Sequence, residues 1–170
     1  MDSIDIDYII VDNKREIIDM LEARLPGILT AVGLKAQEHA VKNITDFGYK
    51  KTGSARKSIT QTVAGGKVYV GSNLKYFPYL ELGTGIHASD GNGRRGYWVY
   101  VPGQEYERKG EKKIYTLQQA IALAEMLRKQ GLDAHVTNGI KPSHAIRNSI
   151  SEHMDEYKKI VEDGLKDIKV

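Results

Sequence analysis

The hydrophobic residues of this chain follow two periods, and the changes between the periods divide the sequence into elements. From Ile4 to Ile10, isoleucines and a tyrosine alternate with polar residues, mostly aspartates. A period of two predicts a strand with one face in water. From Ile17 to Ile44, apolar residues recur every three or four positions, which is the spacing of an amphipathic helix. Pro26 and Gly27 interrupt this stripe, so we expect a short helix, a kink or break, and a longer helix to about Thr45.

The next part of the chain predicts a β-hairpin followed by a compact aromatic segment. Residues near 57–63 and 67–71 are rich in β-prone side chains and flank the glycine pair 65–66. Two glycines between such runs indicate a tight hairpin turn, because these turns need positive φ. The aromatic segment runs from Tyr76 to Leu82 and ends on Gly83.

Residues 86–113 change in character and are rich in glycine and charged side chains. We expect a long mobile excursion that carries one strand, Tyr97–Val101. Gly91–Gly96 matches the G-x-G-x-x-G pattern of dinucleotide-binding loops, but that fingerprint needs a helix directly after it. Because a β-prone run follows instead, no cofactor site is expected in this loop.

The stretch that follows predicts a helix and a short strand. With the preceding strand Tyr97–Val101 they make a small strand–helix–strand unit. Thr116 and Gln119 form a possible capping box for a helix, and Gly131 is suited to end that helix. Residues 134–137 follow as a short strand. We therefore expect one domain over residues 1–170, in which 88–137 form a flexible loop plus the inserted strand–helix–strand unit.

The strongest periodic signal lies at the carboxyl-terminal end. After Pro142 and Ser143, apolar residues repeat at fours and threes from Ile146 to Ile168, which predicts one helix. Together the elements predict an α+β fold. A small antiparallel sheet would pack against the long N-terminal helix, kinked near Pro26, and against the C-terminal helix.

Composition removes several classes of function. The chain has no cysteine, so it has no disulfide framework and no thiolate metal site. Its five histidines contain no His-x-x-x-His pair, and its serines form no nucleophile elbow, so we expect neither a metal site nor a catalytic centre. The acidic start lacks the basic region of a secretion signal, and no run approaches the roughly 18 apolar residues of a membrane span. Synthesis in the cytoplasm without a membrane partner is expected.

Charge is unevenly distributed along the chain. Between Phe47 and Leu80 there is no Asp or Glu, whereas both ends of the chain are acidic. The basic residues of this stretch are Lys50, Lys51, Arg56, Lys57, Lys67 and Lys75. A basic middle between acidic ends favours stacking of copies on one another or contact with a polyanion.

Glu81 is the carboxylate that stands out, because it lies in an aromatic segment at the end of the acid-free stretch. Partial burial is expected, and a buried carboxylate needs a cation or hydrogen-bond donors, which Arg56 or Lys57 could supply. A catalytic carboxylate usually has a second carboxylate or a histidine as partner, and only His87 is near in sequence. A structural pairing is therefore favoured over a catalytic one.

Three segments carry a family resemblance. They are Thr52-Gly53-Ser54-Ala55-Arg56-Lys57-Ser58-Ile59, Tyr76-x-x-Tyr79-Leu80-Glu81-Leu82-Gly83-Thr84, and Lys141-Pro142-Ser143-His144-Ala145-Ile146-Arg147. In this order and spacing they resemble the tail-component family of long-tailed bacteriophages and prophages, whose members act in tail completion or in the head–tail neck. The resemblance covers roughly residues 14–87 and 138–168.

The resemblance implies a small α+β subunit of the virion that assembles as a ring homo-oligomer, contacts other phage neck or tail proteins and performs no catalysis. Ser54 would cap a short helical turn, and Glu81 would anchor a turn before Gly83. The implied structural and interface residues are Thr52, Gly53, Arg56, Lys57, Tyr79, Glu81, Gly83, Thr84 and Pro142. The residues that could line a lumen for passing DNA are Lys50, Lys51, Lys67, Lys75, Arg94 and Arg95.

Two other interpretations remain open. The acid-free segment 47–80 could make the chain a nucleic-acid-binding module, in which aromatic side chains stack on bases. The candidates are Tyr69, Tyr76, Tyr79 and Trp98. The inserted unit around Ala120–Val136 is faintly similar to the cell-wall-binding SPOR modules.

Overall fold

The computed structural model describes residues 13–48, 53–103, 113–166 and 168. The helices are α1 (Lys14–Asp46), α2 (Ser54–Ser58), α3 (Phe77–Leu82), α4 (Leu117–Lys129), α5 (Ala145–Ser151) and α6 (Met154–Leu165). The strands are β1 (Ile59–Ala64), β2 (Lys67–Ser72), β3 (Trp98–Tyr100) and β4 (His135–Thr137). The strands form two antiparallel pairs, β1 with β2 and β3 with β4. The predicted α+β class is confirmed.

Helix α1 is one long helix that is continuous across Pro26, so of the two alternatives expected there the break is wrong. Proline removes one backbone donor, which costs the helix a hydrogen bond. Thr30 Oγ1 donates to the Pro26 carbonyl oxygen at 2.8 Å. Directly after the proline, the buried Ile28 lies against α6, since a Cβ built at Gly164 would be 2.5 Å from Ile28 Cγ1. This contact joins α1 to α6 directly after the proline, and a kink at Pro26 stays a prediction.

The hairpin of β1 and β2 is the predicted one. Ala64 pairs with Lys67 across a turn made by Gly65 and Gly66, whose φ values are 57° and 71°. Two positive φ values in succession match the right-handed twist of the strands and favour glycine. Gln37 of α1 donates from Nε2 to the carbonyl oxygen of Ile59 at 2.9 Å, which ties the hairpin to the long helix.

Most of the described elements pack around one cluster of buried side chains, which we call the main core. Its members are Ala40, Ile44, Ala55, Ile59, Phe77, Leu80 and Ala145. They come from α1, α2, β1, α3 and α5. The small side chains of α1 and α5 let these two helices approach closely, and the larger side chains of the hairpin and α3 fill the remaining space.

The C-terminal stripe forms two helices rather than the one predicted. At His153 the backbone turns out of helical geometry, with φ −121° and ψ 18°. The hydroxyl of the buried Tyr157 donates to the carbonyl oxygen of Ser149, near the end of α5. A carbonyl near a helix end lacks an intrahelical donor, so this hydrogen bond stabilises the break. Both helices still pack on α1, which explains why the apolar period continues through the break.

The inserted unit has a small cluster of its own, which we call the insert core, made of Val101, Ala124 and Ala134. The predicted capping box of α4 is confirmed, because Thr116 and Gln119 exchange hydrogen bonds of 3.0 Å and 3.3 Å. The insert is thus a strand, a helix and a strand, with the two strands antiparallel.

Some expectations concern residues outside the described ranges. These are the strand at 4–10, the candidates Lys50, Lys51 and Thr52, and residues 104–112 of the excursion. Within the ranges that are described, no helix combines the length and the apolar character needed to cross a membrane.

Candidate functional site at the Glu81 corner

Two segments far apart in sequence meet in what we call the Glu81 corner, formed by residues 80–85 and 138–147. Backbone hydrogen bonds join the segments along their length. The Ser143 amide donates to the Leu80 carbonyl oxygen at 2.8 Å, and the Thr84 amide donates to the Ile140 carbonyl oxygen at 2.9 Å. Further along, the Thr84 hydroxyl oxygen accepts the Ile140 amide at 3.0 Å. The corner is therefore fixed by main-chain contacts.

Glu81 binds the first turn of α5 with both carboxylate oxygens. Oε2 accepts the Ile146 amide at 3.1 Å, and Oε1 accepts the Arg147 amide at 2.9 Å. The N-cap residue, His144, makes no side-chain capping hydrogen bond and has a left-handed backbone with φ 48°. The first amides of a helix lack intrahelical acceptors and carry partial positive charge, so an ionised carboxylate stabilises them.

The contacts of Glu81 correct one expectation and agree with another. Its hydrogen-bond partners are backbone amides of α5, not the side chains of Arg56 or Lys57. The sequence favours Arg56 and Lys57 because they are basic residues within about 25 positions of Glu81. The contact that forms instead spans 65 and 66 positions of the chain. The structural interpretation of Glu81 as an anchor is consistent with this geometry.

Gly83 and Gly85 allow the two segments to come close. Gly83 has φ 75° and ψ 174°, a conformation open essentially to glycine alone. A Cβ there would lie 2.7 Å from the His87 carbonyl oxygen and 2.9 Å from Cδ of Pro142. A Cβ at Gly85 would lie 2.0 Å from the Asn138 carbonyl oxygen. Any side chain at these positions would push the segments apart.

A groove of about 750 Å³ lies beside the corner. Its lining is mixed: Leu82 and Trp98 are apolar, Arg94 and Arg147 bring positive charge, and Asp90 brings negative charge. The Arg94 guanidinium lies over the Trp98 ring, 4.8 Å from the ring centroid, in a cation–π contact. Gly93 also lines the groove, and it lies so close to Gly85 that a Cβ at position 93 would clash with the Gly85 carbonyl oxygen. The groove therefore presents apolar side chains beside charges of both signs.

Large apolar side chains project into solvent next to the groove. Tyr79 is 59% exposed, Ile86 is 55% exposed and Leu82 is 46% exposed. We call these three residues the apolar rim. They follow one another within eight positions of sequence, whereas the buried Phe77 and Leu80 of the same segment face the main core. The segment around α3 therefore has one face in the protein and one apolar face outside it.

The remaining predicted residues differ in burial, from the buried Gly53 to the exposed Lys57. Gly53 is the N-cap of α2 with φ 68°, so glycine stands where Ser54 was expected, and Ser54 is the first helical residue. Arg56 is half-buried and Lys57 is exposed on this helix. The lumen candidates Lys67, Lys75 and Arg95 are exposed, while Arg94 is half-buried and donates from Nη2 to the Lys113 carbonyl oxygen at 2.5 Å.

A second group of polar side chains lies between α1 and α6 and was missed from the sequence. We call His39, His153 and Glu156 the histidine cluster. His39 Nε2 lies 2.7 Å from Glu156 Oε2, and the two imidazole rings stack with centroids 3.5 Å apart. The hydrogen bond from His39 and the charge of Lys35 lower the pKa of Glu156. The sequence held one signal, the spacing of three between His153 and Glu156, but the partner His39 is more than a hundred positions away.

No protein-family model, no curated protein and no solved structure matches this chain.

Proposed function

We propose that the chain is a non-catalytic structural subunit of a phage or prophage particle. It would act in tail completion or in the neck at the head–tail junction, as a ring homo-oligomer in contact with other phage proteins. The observation that carries the proposal is the apolar rim of Tyr79, Leu82 and Ile86 beside the rigid Glu81 corner. The resemblance of the three sequence segments supplies the family to which such a subunit would belong.

The rim is a surface suited to a protein partner. Adjacent exposed apolar side chains bordered by polar ones mark interaction surfaces in soluble proteins. The corner behind the rim is held by main-chain hydrogen bonds and by the Glu81 carboxylate. A surface that is rigid before contact loses little conformational entropy on binding, which favours affinity. This arrangement supports assembly better than it supports turnover.

Another copy of the chain fits as the partner. The hairpin and the turn after it expose Lys67 and Lys75, whereas α6 exposes Glu162 together with Asp155 and Asp163, which pair with Lys158 and Lys166. A head-to-tail contact that joins the basic hairpin to an acidic side chain such as Glu162 closes into a ring when the rotation between copies permits. The apolar rim would form the centre of this contact and the charges its edge.

The proposal is tested by removing the rim without disturbing the fold. Tyr79→Ser and Ile86→Ser should abolish self-association and incorporation into particles, because they remove apolar area that a partner would cover. Light scattering measures association of the free subunit, and electron microscopy of reconstituted necks measures it on the particle template. Met126→Ser is the matched control, since Met126 is also about half exposed but lies on α4 of the insert.

The rim variants should retain the melting temperature of the parent chain. If the parent stays monomeric both in solution and in reconstituted necks, the assembly proposal fails. If the control variant loses association as strongly as the rim variants, the contact lies elsewhere. Capsid, portal and tail genes beside the coding sequence would support the proposal independently.

A nucleic-acid-binding module is the second candidate, and one observation favours it. Tyr69 is 55% exposed on β2, two positions from the exposed Lys67, in a stretch without acidic residues. An aromatic side chain beside positive charge is the arrangement that single-stranded nucleic acids bind. The monomer should then bind DNA with an affinity that falls steeply as salt rises, and Tyr69→Ser and Lys67→Ser should abolish this binding. That result would favour nucleic-acid binding over assembly.

A further inference from the structure

We propose that the histidine cluster binds a divalent transition-metal ion, with His39, His153 and Glu156 as its ligands. One candidate ligand atom of each residue lies within 4.8 Å of the others. Two of the residues belong to the start of α6, where His153 is the N-cap and Glu156 is in the first turn. The third, His39, lies on α1, so the ion would join the two helices.

The ligand set selects the class of metal. Two imidazole nitrogens and one carboxylate oxygen suit zinc and its first-row neighbours, whereas magnesium and calcium prefer oxygen ligands throughout. Three protein ligands leave a position open for water or for a group from a partner. The side chains are 14%, 32% and 39% exposed for His39, His153 and Glu156, so an ion can reach the site from solvent.

One rearrangement is required before all three ligands can bind. The imidazole rings of His39 and His153 are nearly parallel, with an angle of 6° between their planes. Imidazole lone pairs lie in the ring plane, so two stacked rings cannot both direct a lone pair at one ion. His153 is the more exposed ring and is the one that turns. On binding, the ion takes the place of the hydrogen between His39 Nε2 and Glu156 Oε2, and a neutral His39 then carries its proton on Nδ1, so that the ring remains a neutral ligand.

Lys35 competes with the ion for Glu156. Its Nζ lies 3.5 Å from Glu156 Oε1 and 3.0 Å from Glu38 Oε2. A positive charge at this distance repels a divalent cation and occupies the second carboxylate oxygen. Removing the charge of Lys35 should therefore tighten metal binding, an effect opposite in sign to that of removing a ligand.

The test is calorimetric titration of the full chain, free of any purification tag, with zinc chloride. The parent should bind one ion per chain, whereas His153→Ala and Glu156→Gln should each weaken binding at least about tenfold, or 1.4 kcal/mol. Lys35→Met should bind more tightly than the parent. His135→Ala is the matched control, since His135 also lies near a carboxylate, 3.0 Å from Asp133, but outside the cluster.

Two further readouts separate a built site from loose surface binding. Cobalt(II) should give the visible absorption of a four-coordinate site in the parent and in His135→Ala but not in His153→Ala. Zinc should raise the melting temperature of the parent and leave that of His153→Ala unchanged, because an ion that binds only the native state stabilises it. Magnesium at the same concentration should do neither.

The proposal is overturned by any of three results. These are no zinc binding by the parent, zinc binding that His153→Ala and Glu156→Gln leave unchanged, or equal weakening by His135→Ala. His39→Asn removes the most buried ligand; if that variant does not fold, the two ligands on α6 still decide the question, because each is more exposed.

Discussion

The main core and the insert core differ in how their members are collected along the chain. The main core joins side chains from Ala40 to Ala145 and includes the fully buried Ile44 and the nearly fully buried Ile59. The insert core takes three small or medium side chains from 101 to 134 and contains no residue larger than valine. Burial of apolar area is the main stabilising term in folding, so the two cores should differ in local stability.

The difference in local stability should also distinguish the Glu81 corner from the insert. The corner is connected to both cores, because Leu80 and Ala145 belong to the main core, while its residues 138–140 follow directly after β4 of the insert. We expect the insert to open while the main core and the Glu81 capping contact stay formed. The predictions that follow compare matched changes in the two regions.

The largest effect is expected from removing core volume. Ile44→Ala should destabilise the whole chain by about 2–5 kcal/mol, because the Ile44 side chain is fully buried and its removal leaves a cavity. Val101→Ala should cost about 1–3 kcal/mol and should act on the insert first. Denaturant unfolding gives the global values, and hydrogen exchange shows where opening occurs.

Faster exchange in 98–101 and 134–137, with α1 still protected, is the result expected for Val101→Ala. If exchange rises equally in α1, the two cores unfold as one cooperative unit and the comparison fails.

A second comparison uses two glycines with positive φ. Gly83→Ala should cost about 2–4 kcal/mol, since it combines an unfavourable backbone conformation with close contacts to His87 and Pro142. Gly131, at the end of α4, has φ 82° and open space around a built Cβ, so Gly131→Ala should cost only about 1 kcal/mol. Thermal unfolding measures both. Equal losses would mean that the close contacts at Gly83 relax without cost.

The smallest difference concerns the two helix caps. Glu81→Gln should lower the free energy of unfolding by about 1–3 kcal/mol, because the charged acceptor of the Ile146 and Arg147 backbone amides becomes neutral. Thr116→Ala, at the local cap of α4, should cost about 1 kcal/mol. Both are measured by chemical denaturation beside the association assay. A Glu81→Gln chain with unchanged stability and assembly would show that the carboxylate is not a structural anchor.

Local signals predicted the local elements well. The glycine pair at 65–66 defines the hairpin, and the pair Thr116 and Gln119 defines the start of α4, because the residues that fix these features are neighbours in sequence. The break at His153 was not predicted, since it depends on Tyr157 reaching back to the Ser149 carbonyl oxygen. The spacing of apolar residues predicts only that one face is buried. It does not distinguish one helix from two helices that both pack this face on α1.

The site residues divide in the same way. Sequence could mark Glu81 as partly buried and Gly83 as a turn residue, but it assigned the wrong partner to Glu81. The true partners belong to a helix that starts more than sixty positions later. The histidine cluster is a stronger case, because His39 and Glu156 are distant in the chain and only the packing of α6 on α1 brings them together.

The exposed N-terminal part of helix α1 offers a position for a fluorescent label. None of residues 14–27 is buried, and Ile28 is the first buried residue of the helix. At 1.5 Å per residue, the start of α1 lies about 20 Å along the helix axis beyond that point. The chain has no cysteine. A single cysteine at the exposed Glu16 would therefore place a fluorophore at one known position, far enough from the main core to test for the proposed neighbouring subunits without disturbing the fold.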